Sequence, residues 1–96
     1  MAVVQLDTKS LASLVQPSKL AKKDFSVPNR VCVTSGTDHT GEDAYYVYLV
    51  FPDNTPDESL SWDKIKQMVR WVRGQIWKAN GEERWPYVRV KRESEF

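Results

Sequence analysis

Cysteine is nearly missing from this 96-residue chain: Cys32 stands alone, so no internal disulfide framework can brace the fold. Histidine is equally scarce, with His39 the single copy, and one His with one Cys falls short of the four converging ligands a zinc site takes. Only four glycines are present, and no P-loop, GxGxxG, nucleophile elbow or HExxH occurs, which removes the common motif routes to an enzyme. No stretch approaches the ~20 apolar residues of a membrane span, and the N-terminus lacks the basic start and apolar run of a signal peptide. The expectation is a cytoplasmic protein with no membrane partner and no cofactor.

Net charge is also small, +1 from 14 basic and 13 acidic residues, so no global field draws the chain to nucleic acid. The distribution is uneven, however: residues 1–60 hold five Lys/Arg and eight Asp/Glu, whereas 61–92 hold nine and three. That second segment, at +6, gives a candidate basic surface at Arg70, Arg73, Arg89 and Lys91.

What is present in strength is one amphipathic period. In residues 61–79, Trp62, Ile65, Val69, Val72 and Ile76 recur at spacings of three and four, with Met68 beside them, and predict a long helix with a core stripe. Ser61 is placed to cap its start, and Asn80-Gly81 to end it in a left-handed turn. Residues 30–35 and 44–51 are rich in β-branched and aromatic side chains and are joined by the turn-rich GTDHTG, which predicts a hairpin. Residues 87–91 alternate and predict a third, half-buried strand. Residues 1–26 read as an arm or short helix, with Leu6, Leu11, Leu14, Val15 and Leu20 as its apolar side, a cap at Asp7 or Thr8, and Pro17 ending or restarting it. Residues 27–92 form a single domain and 93–96 a tail. The fold class is α+β, strand-strand-helix-strand, a small antiparallel or mixed sheet with one long helix packed on it.

The second strand is apolar on both sides: Tyr45, Val47, Leu49 and Phe51 share one face, Ala44, Tyr46, Tyr48 and Val50 the other. One helix covers only one face. The other is closed by the N-terminal segment, by a second copy or by a foreign chain. Tyr46 and Tyr48 of the second strand, with Trp71 on the Met68 flank of the helix and Trp77 beyond the edge of its stripe, are a candidate interaction surface.

Asp38, His39, Glu42 and Asp43 crowd the hairpin loop and form the only cluster suggestive of a site. Turn chemistry accounts for them, since Asp and Gly suit turn geometry; an acid-base or metal role for His39 is the competing reading. Cys32 with His39 makes a poor nucleophile-base pair, because an extended strand separates them by on the order of 20 Å. A small buried side chain is the simpler account of Cys32.

Asp38-His39-Thr40-Gly41, followed by an aromatic strand, a helix and Arg84-Trp85-Pro86-Tyr87, resembles a group of small uncharacterised bacterial proteins. Those carry a D-H-x-G turn and a closing R-[FW]-P-Y, and their genes often lie beside one for a HEPN-type protein, as in a toxin–antitoxin locus. The resemblance covers roughly residues 30–90 and carries no assigned activity. It implies a small partner protein rather than an enzyme. Three functions follow: a non-catalytic interaction module, homodimeric or bound to another protein; a nucleic-acid-binding regulator using 61–92; and a small hydrolase or metal enzyme built on His39.

Overall fold

The computed structural model describes residues 7–96. Leu6, expected on the apolar side of the first helix, lies outside them. The elements run α1 (Thr8–Ser13), α2 (Pro17–Lys22), β1 (Arg30–Thr37), β2 (Asp43–Phe51), α3 (Trp62–Ala79) and β3 (Trp85–Arg92), with short 3-10 turns at Asp57–Leu60 and Glu93–Glu95. The sheet is mixed, in the order β1-β2-β3. β1 and β2 form the antiparallel hairpin, and β3 returns parallel to β2 after the α3 crossover. The protein is thus α+β, with one long helix on a three-stranded sheet.

Packing follows the period of each element. From α3, Ile65, Met68, Val69, Val72 and Ile76 are buried, and they meet Tyr45, Val47, Leu49 and Phe51 of β2 in one core. Val31 and Val33 of β1 join from the same sheet face, and Val88 and Val90 of β3 pack on it partly buried. Trp62 does not belong to this core, contrary to the helical period: it is 56% exposed. As the first residue of α3 it sits at the end where the helix begins, and Ile65, a turn later, is the first to be buried.

The N-terminal segment folds as two short helices. Asp7 caps α1, its Oδ1 accepting from Ser10 N at 2.7 Å, and Pro17 opens α2 at a position where its missing N–H costs nothing. Leu11, Val15 and Leu20 are fully buried in the same core that α3 fills. Phe25 then packs at 6.2 Å on Trp71, tying this segment to α3. All three helices therefore cover one face of the sheet, and the N-terminal helices do not close the other.

Two ends of the fold are locked by side chains. Asn80 ends α3: its Nδ2 donates to Ile76 O (2.8 Å) and Arg84 O (3.0 Å), and its Oδ1 accepts from Glu83 N (3.1 Å) and Arg84 N (2.8 Å). Gly81 follows at φ +72, the left-handed conformation expected after the helix. At the start of α3, Ser61 has the extended backbone of a cap but makes no side-chain capping bond. Residues 93–96, expected as a tail, are docked. Arg92 binds Thr55 O and Asp57, Ser94 N donates to Asp53 Oδ1 at 2.8 Å, and Glu93 pairs with Arg30 at 3.2 Å.

Candidate functional site

With the helices all on one side, no helix covers the other side of the sheet, the open face, although Phe96 of the docked C-terminal turn lies against Tyr48 there. The rows of this face follow from the register: Thr34, Tyr46 and Tyr87 lie abreast, then Cys32, Tyr48 and Arg89, then Arg30, Val50 and Lys91. Ala44 and Val50 are buried even here; Arg30, Thr34 and Arg89 are exposed, and Cys32, Tyr46, Tyr48, Tyr87 and Lys91 are half-buried, so little aliphatic surface faces outward. None of its strand positions is Asp or Glu.

The rings are held in place. Tyr46 and Tyr87 stack across β2 and β3 with centroids 5.5 Å apart and planes 22° from parallel. The Tyr46 hydroxyl donates to Thr37 O at 2.8 Å, and the Tyr87 hydroxyl makes a long hydrogen bond, 3.4 Å, to Asp38 Oδ2. Gly36 makes room for the first ring, since a Cβ there would stand 3.1 Å from Tyr46 Cε2. One row further, Phe96 and Tyr48 form a T-shaped pair with centroids 5.2 Å apart, and the Arg30 guanidinium lies 4.7 Å from the Phe96 ring centroid.

The hairpin loop supports this array and is itself organised by Asp38. Its Oδ1 accepts from Thr40 N (2.8 Å), the Thr40 hydroxyl (2.6 Å) and Glu42 N (3.1 Å), and Gly41 takes φ +84 to close the turn. These bonds, the Thr40 hydroxyl first, hold the Asp38 carboxyl below its usual pKa. Tyr87 moves the other way: loss of solvation, then the negative charge of Asp38 and the hydrogen bond to it, pushes the phenol up.

The four candidate loop residues do not converge. Asp38 serves the turn, His39 is exposed, Glu42 contributes its backbone, and Asp43 pairs with Arg84 at 3.5 Å. Among the described residues, no group of three His, Cys, Asp or Glu is placed to hold a metal ion. Cys32 is half-buried on the open face rather than enclosed in the core as expected, because β1 turns its odd-numbered valines inward and Cys32 outward.

The two predicted surfaces are each divided by the sheet. Tyr46 and Tyr48 lie on the open face, but Trp71 and Trp77 belong to α3 on the opposite side. Trp71 is half-buried against Phe25, with Lys23 Nζ 5.8 Å from its ring; Trp77 meets Trp85 edge-on at 5.2 Å. Arg89 and Lys91 are on the open face, whereas Arg70 is exposed on α3 and Arg73 stacks over Trp85 at 5.4 Å.

Tyr87, Arg30 and Phe96 complete the open face and were missed as site residues from sequence. The alternation of β3 put Tyr87 beside Arg89, but only the parallel register with β2 shows that Tyr87 meets Tyr46, 41 positions earlier. Among the described residues, no helix is long and apolar enough to cross a membrane. The chain matches no known protein family, no curated protein and no solved structure.

Proposed function

We propose that the protein is a non-catalytic binding module whose ligand surface is the open face of the sheet. The observation that carries this is the one-sided packing: α1, α2 and α3 share a single core on one face, leaving preordered rings and cations on the other. A catalytic role for the loop finds less support, since Asp38 is consumed by the turn and the exposed His39 has no side-chain hydrogen-bond partner among the described residues to orient it. As the resemblance implies, the role is that of a small partner in a two-gene locus.

The test is site-specific photo-crosslinking of the full chain in its source cells. A benzophenone amino acid replaces Thr34, exposed on the open face, or Gln67, exposed on the outer side of α3. A discrete adduct from position 34 and none from position 67 is the expected result. Adducts from position 67 alone, or from neither, contradict the proposal.

A further inference from the structure

Resting on that reading of the open face, we propose that its ligand is a single strand of nucleic acid. Proteins that hold single strands combine aromatic rings, on which unpaired bases stack, with a row of cations that follows the phosphates. Both are here and adjoin. Tyr87 stands in β3 with its inner ring face on Tyr46; among the described residues no ring lies against its outer face, so a base placed there extends an existing stack. Along the same strand and on the same side come Arg89 and Lys91, two and four residues on, a span of about 13 Å at the rise of a β-strand. Arg89 is exposed, so its guanidinium can meet phosphate without leaving a buried partner.

Charge complementarity selects the partner. No strand position on this face is acidic, and of the carboxylates near it Asp38 is engaged by the loop, Glu93 by Arg30 and Glu95 by the Arg92 N–H. Tyr and Arg are enriched at protein–protein interfaces too, so the rings alone do not choose the partner; the discriminating feature is Lys91 beside the exposed Arg89 on a face with no acidic strand position, since Lys is depleted at protein–protein interfaces. A duplex is a worse fit than a single strand, because its base faces are stacked on one another and out of reach of Tyr87 and Tyr48. The rings are also preorganised: the hydroxyls of Tyr46 and Tyr87 are tethered to Thr37 and Asp38, which lowers the ordering cost of binding.

The experiment is fluorescence anisotropy of labelled oligothymidylate and oligouridylate, about 12 nucleotides long to suit a surface of this kind, titrated with the full chain at several salt concentrations. Binding is expected, with log K falling linearly against log salt. Arg89→Glu combined with Lys91→Glu should weaken it at least tenfold and reduce the slope by about 1.4, the value for two phosphate contacts on a single strand. Tyr87→Ala should weaken it on the order of tenfold with the slope unchanged, and Tyr87→Phe, which keeps the ring and loses only the tether to Asp38, should weaken it clearly less than Tyr87→Ala. Circular dichroism establishes that each variant is folded; the charge reversals alter surface side chains and keep the test decisive if Tyr87→Ala unfolds. No binding up to about 100 µM, the weak end of non-specific affinity, overturns the proposal, as does a preference for the duplex or indifference to the charge reversals. If the oligonucleotides fail while position 34 crosslinks to a protein, the nucleic-acid assignment falls and the open-face reading stands. If position 34 crosslinks to nothing and the oligonucleotides fail, both fall.

Discussion

Val72→Ala tests whether α3 is the helix that builds the core. Val72 is fully buried, one turn from Val69 and Ile76, and its side chain belongs to the cluster shared with β2. Deleting two carbons forfeits ~1.6 kcal/mol of transfer free energy at ~0.8 kcal/mol each. The space left behind adds on the order of 1 kcal/mol, because a packed core relaxes only in part. Alanine is the better helix former and returns about 0.5 kcal/mol. The net loss is about 2 kcal/mol, which lowers the melting temperature of a chain this size by about 8–16 °C. Urea unfolding followed by far-ultraviolet circular dichroism measures it, with the denaturant slope unchanged because the same surface is exposed on unfolding. Gln67→Ala, on the exposed side of the same helix, is the control and should stay within about 0.5 kcal/mol. A Val72→Ala loss of only a few tenths would mean that α3 does not pack on the sheet through this stripe.

Asn80→Ala removes four hydrogen bonds at the end of α3 and should cost about 2 kcal/mol in thermal unfolding; a loss below about 0.5 kcal/mol would show that the turn forms without it. The Asp38 carboxyl is lowered in the folded state, so its contribution to stability is present above the unfolded value and is lost as pH falls from about 4 through the folded one. Asp38→Asn should therefore flatten, without abolishing, the acid limb of a stability–pH curve, since Asp7 and Asp53 are lowered as well; an unchanged acid limb contradicts the turn geometry. Gly36→Ala puts a methyl 3.1 Å from the Tyr46 ring and should move that ring's NMR signals. Its stability should change by less than about 1 kcal/mol, because alanine suits a strand better than glycine while the stacked ring must give by a little. Unmoved Tyr46 signals would refute the position given to the ring.

The parts of the fold that could be read from sequence are those set by local period. The α3 stripe from Ile65 to Ile76, the β1–β2 hairpin and the alternation of β3 all follow from which side chains repeat at 3.6 or at two. Trp62 failed because the period runs through the first turn of a helix whose end reaches past the core. Leu11 and Leu20 were recognised as apolar anchors, but two helices of six residues carry no mark of which sheet face they will cover. β3 extended further than expected because Pro86 sits in an edge strand, where its missing N–H need break no ladder. The site was legible only in pieces. Tyr46, Tyr48, Arg89 and Lys91 were each selected, but joining them required a parallel register across a helical crossover, and the period of a strand does not encode which strand it pairs with.

The central claim, that the open face takes a single strand of nucleic acid, is tested most directly by amide NMR during titration with oligothymidylate. Shifts concentrated at Tyr48, Tyr87 and Arg89, with Gln67 and Arg70 on the outer side of α3 unmoved, are what the account predicts. Shifts confined to α3, or none at saturating oligonucleotide, would contradict it.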